Sequence, residues 1–168
     1  VLDSHQGDPD PANAIEKILI HRECSVPAVM QLCHNLWDKG FEIFGDPDLA
    51  EDISDLKPVT PDDWDRPFLK RAVALRRVDG MATAADLINR YSNGHVDCLA
   101  TESYAENAQF TRLVNSAVLY VNTSPKFSRN PTQASAIAIG MTSQRGRCSG
   151  FIGLNALLTT QHVLQGSV

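Results

Sequence analysis

Short apolar runs alternate with amphipathic segments along most of the chain. The β-branched segment 14–21 follows a turn-rich stretch and predicts a strand. After it, Ser25 is a suitable N-cap, and apolar residues recur at helical spacing until Gly40, which predicts a helix. The short apolar run 41–45 predicts a second strand.

The same alternation returns after an acidic, proline-containing stretch at 46–70. This stretch is predicted to be rich in loops, with one short amphipathic helix through Leu49, Ile53 and Leu56. Beyond it, the pattern predicts strands at 72–78, 96–101 and 117–122, and helices at 84–91 and 104–114. Strands that alternate with helices predict an α/β fold, in which a largely parallel sheet is flanked by helices.

Composition fits one folded domain. The 168 residues are 43% hydrophobic and 21% charged, close to the average of soluble globular proteins. The net charge of −5 argues against binding to nucleic acid. Residues 1–68 carry 15 acids and 5 bases, whereas residues 69–168 carry 5 acids and 10 bases, so the two parts have opposite charge.

No apolar run is long enough to span a membrane, and no signal segment begins the sequence, so the protein is expected to be soluble. The four cysteines lie far apart and lack the spacing of metal ligands, so no metal site is predicted. A chain of this size needs no disulfides, which favours reduced thiols and a reducing compartment, the cytoplasm or the interior of an organelle.

Several segments resemble the C-terminal half of one enzyme family. The matching segments, in order, are 65–69, 95–98, 110–127, 143–145 and 150–157. Together they resemble γ-glutamyl phosphate reductase, the second enzyme of proline biosynthesis and a member of the aldehyde dehydrogenase superfamily. The resemblance implies a catalytic-type α/β domain at 1–127, with a loop and oligomerisation-type segment of the same domain at 128–168.

In that family an N-terminal Rossmann-like half binds NADPH, and the C-terminal half supplies a cysteine that attacks an acyl phosphate to form a thioester. The resemblance puts the nucleophile position on Ala12, whose methyl group cannot form a thioester. It puts the glutamate that holds the cofactor ribose on Pro67. Since the cofactor half has no counterpart in this sequence, no cofactor is expected to bind this chain alone.

The rest of the family's site is also altered. Its Gly-x-Gly-Ala-Glu segment falls on 134–138 and its His-Ala-Arg-Gly segment on 147–150, where the matching residues differ. A vestigial pocket would use Asn13, Asn122, Ser143 and Gln144. Arg145 and Arg147 are candidates for contact with an anion or a partner, and the cationic neighbours of Cys148 make it the one candidate for a replacement thiol.

The favoured hypothesis is therefore a degenerate, catalytically inactive domain that acts as a structural or interaction subunit. Its partner would be another protein or a second copy, contacted through residues 128–168. The alternative is a C-terminal piece of a two-domain, NADPH-dependent reductase, which agrees with the absence of an initial Met at Val1. Two less favoured hypotheses remain: an enzyme that uses Cys148 or the acids Asp8 and Asp10, and a sensor of glutamate-like ligands.

Overall fold

A computed structural model describes residues 1–7, 13–126, 128–129, 138–139 and 158–166. After a 3₁₀ turn at Asp3–His5, the elements are β1 (Lys17–His21), α1 (Val26–Trp37), β2 (Glu42–Gly45), α2 (Pro47–Asp52), β3 (Lys57–Pro58), α3 (Asp62–Asp65), β4 (Ala72–Val78), α4 (Met81–Tyr91), β5 (Val96–Leu99), α5 (Tyr104–Leu113), β6 (Val118–Val121), β7 (Ser128–Arg129) and β8 (Ala138–Ile139). Every strand and helix predicted between residues 14 and 122 is present, with ends that differ by a few residues.

The strands form one larger parallel sheet and two small sheets. The four-stranded sheet has the order β1-β4-β2-β3, and all its neighbours are parallel. Strands β5 and β6 pair in parallel, while β7 and β8 pair antiparallel. Parallel strands need a long crossover, which α1 provides between β1 and β2 and α5 between β5 and β6. The predicted α/β class with a largely parallel sheet is confirmed.

The main core lies around strand β4. Val73 and Leu75 are completely buried there because β4 pairs on both sides, with β1 and with β2. Helix α1 packs its apolar stripe on this core through Val29, Cys33 and Leu36. A smaller cluster joins α4 and α5 through Ala85 and Phe110. The hydrophobic pattern that predicted these elements is therefore also the pattern of burial.

The acidic stretch 46–70 is more ordered than predicted. Besides the expected helix α2, it forms the short strand β3 and helix α3. Asp46 caps α2 by accepting a hydrogen bond from Leu49 N, and Pro47 takes the first helical position. Asp63 accepts hydrogen bonds from the Thr60 N–H and hydroxyl at 2.8 and 2.7 Å. These local side-chain bonds order a sequence that lacks long apolar runs.

The C-terminal region is described only in part. Residues 158–166 have no regular secondary structure and are exposed. The boundary predicted between 127 and 128 stays a prediction, and most of the segment 134–138 and all of the segment 147–150 lie outside the described residues. Within the described part of the chain, no helix is long and apolar enough to cross a membrane.

Candidate functional site

The Glu16 carboxylate fixes the loop that contains Pro67. Glu16 precedes β1 and is only 9% exposed. Its two carboxylate oxygens accept hydrogen bonds from Phe68 N at 2.8 Å and from Leu69 N at 2.9 Å. Leu69 has a φ of +53°, a left-handed conformation that is uncommon for leucine. The two bonds compensate for this strain and join the loop to the start of β1.

Pro67 itself is exposed beside an open cleft of about 430 Å³. Phe68, the next residue, stacks on Phe44 with ring centroids 5.2 Å apart. The Lys17 ammonium lies 3.6 Å from the centre of the Phe68 ring and donates a hydrogen bond to the Arg66 carbonyl. Burial lowers the pKa of Lys17. The loop is thus well supported, but a proline side chain has no acceptor for a ribose hydroxyl.

Asn13 bonds the segment that follows β6. It is 2% exposed, and its Nδ2 donates a hydrogen bond of 2.7 Å to the Pro125 carbonyl. Within the described residues, its Oδ1 is buried without a hydrogen-bond partner. Asn13 is therefore held by the Pro125 carbonyl, and a pocket role for its Oδ1 stays a prediction.

Asn122 joins the ends of β5 and β6. Its Oδ1 accepts from Thr101 N at 2.9 Å, and its Nδ2 donates to the Thr101 carbonyl at 2.7 Å. Its φ is +54°, which asparagine tolerates better than most residues. Each amide atom makes one bond to Thr101, which leaves one lone pair of Oδ1 and one N–H of Nδ2 for a ligand. A pocket role for Asn122 stays a prediction.

The other predicted site residues lie outside the described part of the chain. They are Asp8, Asp10, Ala12, Ser143, Gln144, Arg145, Arg147 and Cys148. Their assignments therefore stay predictions. Of the predicted site residues, the structure describes Asn13, Pro67 and Asn122.

The described thiols differ in environment. Cys24 is exposed, in the turn between β1 and α1. Cys33 is completely buried, and burial raises its pKa. Burial raises the pKa of Cys98 to about 12, helped by the Asp97 carboxylate. Cys24, Cys33 and Cys98 are all free thiols.

The sequence analysis missed Glu16 and Lys17. A signal for Glu16 was present, because an acid within the apolar segment 14–21 requires a hydrogen-bond partner when that segment is buried. The partners themselves are backbone N–H groups more than fifty residues away, as the separation of 52 residues between Glu16 and Phe68 shows. Such a contact depends on the tertiary fold, so its partners cannot be predicted from the local sequence.

This parallel α/β fold is of the aldehyde-dehydrogenase catalytic-domain type, which is the fold of a solved structure that it resembles. The crystal structure of γ-glutamyl phosphate reductase from Thermotoga maritima superimposes with a TM-score of 0.75 and 28% identity, over 94% of this chain and 40% of that one. "Gamma-glutamyl phosphate reductase 2" of Synechocystis sp. is 42% identical over 167 residues. The reductase of Gloeobacter violaceus is 31% identical over the same length.

These comparisons confirm the predicted resemblance. The chain matches part of γ-glutamyl phosphate reductase: 99% of it aligns with both relatives, and it spans 40% of the length of each. No protein-family model matches the chain.

Proposed function

We propose that this chain is a degenerate γ-glutamyl phosphate reductase-like domain that lacks the family's chemistry and acts as a structural or interaction subunit of a larger assembly. The observation that carries the proposal is Ala12 at the position of the nucleophilic cysteine. The family's reaction requires a thiolate to attack the acyl phosphate, and a methyl group offers no electron pair. Residue 12 therefore cannot form the thioester that NADPH would reduce.

The environments of the described thiols support this proposal. A replacement nucleophile needs a lowered pKa and access to substrate. Cys33 and Cys98 have raised pKa values, and Cys33 is completely buried. Exposed Cys24 lies between β1 and α1. Cys148 stays the candidate that an experiment must exclude.

The Pro67 loop supports it independently. The loop keeps its anchor on Glu16 and its stacked Phe68, yet the residue at the ribose position has lost its carboxylate. The fold around the site is thus maintained by packing and hydrogen bonds that do not depend on catalysis. Folds readily persist as scaffolds after their sites change.

For the partner contact we propose the region 128–168, as the family's oligomerisation segment suggests. Its described part exposes apolar side chains that a monomer would not benefit from exposing: Leu158 is 63%, Val163 79% and Leu164 98% exposed. Exposed apolar side chains close together in sequence fit a surface that becomes buried on association. The partner is another protein or a second copy of this chain.

Acylation measured by intact-mass spectrometry tests whether the chain lacks a nucleophile that forms a thioester. The chain is incubated with acetyl phosphate and then with hydroxylamine, which cleaves thioesters but leaves acetyl-lysine intact. We expect no hydroxylamine-sensitive acyl group on the chain, and the same result for Cys148→Ser. A hydroxylamine-sensitive adduct that disappears in Cys148→Ser would overturn the proposal and identify Cys148 as the nucleophile.

The alternative proposal is that the chain is the C-terminal part of a two-domain, NADPH-dependent γ-glutamyl phosphate reductase-like protein of proline biosynthesis. It is favoured by the coverage, since the chain spans 40% of its relatives. A chimera distinguishes the two proposals: the part of the Synechocystis reductase that precedes the matching region is joined to this chain. NADPH oxidation by the unmodified chimera would support the alternative, whereas activity only after Ala12→Cys with Pro67→Glu would support the inactive domain.

A further inference from the structure

The turn between α4 and β5 contains the one Asn-Gly pair of the sequence, Asn93-Gly94. Asn93 is exposed, and Gly94 has a φ of +70°, which glycine adopts without strain. In an Asn-Gly pair, the glycine N can attack the preceding side-chain amide carbon, because no side chain on the glycine blocks the approach. The structure surrounds this pair with groups that assist the attack.

The carbonyl that would be attacked is already polarised. Asn93 Oδ1 accepts a hydrogen bond from the His95 backbone N–H at 2.9 Å. This bond closes a turn in which the side chain folds back over its own backbone. It also places a donor on the oxygen where negative charge develops during the attack.

The attacking nitrogen has a path for its proton. Gly94 N donates a hydrogen bond to Ser92 Oγ at 3.2 Å, and Ser92 Oγ donates to Asp97 Oδ2 at 2.8 Å. Ser116 Oγ donates to the same Asp97 oxygen, which holds the carboxylate in place. Burial raises the pKa of Asp97, which makes the carboxylate a stronger base than an exposed aspartate.

From this arrangement we propose that Asn93-Gly94 is a self-modifying site, at which the turn converts Asn93 to aspartate or isoaspartate with the help of the Ser92-Asp97 relay. Gly94 N forms a bond to Asn93 Cγ while its proton passes to Ser92 Oγ and the Ser92 hydroxyl proton passes to Asp97. The Cγ–Nδ2 bond then breaks, the proton returns, and ammonia leaves. The succinimide that remains adds one water and opens. Nothing is oxidised or reduced.

The modification would act on the start of β5. Isoaspartate lengthens the backbone by one methylene group, directly beside the Asn93–His95 hydrogen bond. The same turn is joined to β6, because Ala117 N donates to the Gly94 carbonyl at 2.9 Å. Conversion would therefore loosen the pairing of β5 with β6.

The test is a time course of deamidation at neutral pH, read at each asparagine by peptide mapping. The folded chain is compared with a synthetic peptide of residues 91–97, which has the same sequence without the relay. We expect Asn93 in the folded chain to react about tenfold faster than in the peptide, since general-base assistance contributes at least that much. A rate in the folded chain equal to or below that of the peptide would overturn the proposal.

Variants isolate the relay. Ser92→Ala is expected to slow Asn93 by about tenfold, while Ser92→Thr, which keeps the hydroxyl, retains the fast rate. Ser54→Ala, at an exposed serine after α2 and outside this turn, is the control and should keep the fast rate. An unchanged rate in folded Ser92→Ala contradicts the relay. If Ser92→Ala does not fold, the comparison of unmodified chain and peptide still decides.

Discussion

At the scale of single residues, Glu16 is the side chain near the candidate site whose substitution should lower the free energy of unfolding most. It is buried and supplies both acceptors for the loop at 68–69. Glu16→Gln keeps the shape but leaves one of the two N–H groups facing an amide N–H₂ donor. We expect a loss of about 2 kcal/mol in the free energy of unfolding, measured by urea denaturation.

The matched control is Glu23→Gln, since Glu23 is an exposed glutamate near the end of β1. Its substitution is expected to change stability by less than about 0.5 kcal/mol. Equal effects of the two substitutions would mean that the Glu16 bonds do not stabilise the loop.

His5 predicts a pH dependence of stability. It is 3% exposed and packs edge-on against Phe41, and burial lowers its pKa below the ordinary 6.5. Below pH 6.5 the unfolded chain binds a proton that the folded chain resists, so this contribution is present above 6.5 and is lost as pH falls towards the folded-state pKa.

Urea denaturation at several pH values measures this slope. His5→Gln should lose the part of the acid sensitivity that His5 causes, whereas His34→Gln, at an exposed position, should keep it. The account of His5 is wrong if His5→Gln and the unmodified chain show the same pH dependence below 6.5.

At the scale of elements, α5 depends on its N-cap. The helix fully buries only Phe110, so packing stabilises it less than α1. Ser103 Oγ accepts from Glu106 N at 3.3 Å, and Glu106 in turn accepts from the Thr101 hydroxyl. Ser103→Ala should cost about 1 kcal/mol in urea denaturation. Ser54→Ala, at an exposed serine after α2, is the control and should have little effect.

The end of β2 depends on the absence of a side chain at Gly45. A Cβ there would lie 2.6 Å from Leu56 Cδ1 and 3.2 Å from Leu56 Cβ, and Leu56 is buried. Gly45→Ala should therefore destabilise the chain by about 1–3 kcal/mol. At Gly80 a Cβ meets nothing within 4 Å, so Gly80→Ala should be tolerated. Similar unfolding midpoints for the two variants would contradict this packing.

Elements were predictable from sequence where burial follows a simple period. Strand β4 is a continuous apolar run because it is central in its sheet, and α1 shows its buried stripe at helical spacing. Strand β3 and helix α3 were not predicted, because they are stabilised by side-chain hydrogen bonds such as those of Asp63. The hydrophobic pattern of a short polar segment gives no sign of such bonds. Ser103 and Glu106 have the spacing of a helix N-terminal capping pair, so the sequence could also have predicted the start of α5 from them.

At the scale of the whole molecule, the chain has the fold of part of γ-glutamyl phosphate reductase, whereas the proposed loss of function concerns single positions of the site. Resemblance predicted the fold and the departures at Ala12 and Pro67. It could not predict that Glu16 anchors the Pro67 loop or that Asn122 bonds Thr101, since both contacts join residues far apart in sequence. Under the proposed function, the core packing persists without the family's site chemistry.

The most direct test of the central claim is native mass spectrometry of the chain purified from its source under mild conditions. We predict a stable complex with another protein or with a second copy of the chain, and no reduction of an acyl phosphate by NADPH. A chain that copurifies only with a Rossmann-type cofactor half, and that reduces an acyl phosphate with NADPH in that complex, would contradict the proposed inactive domain.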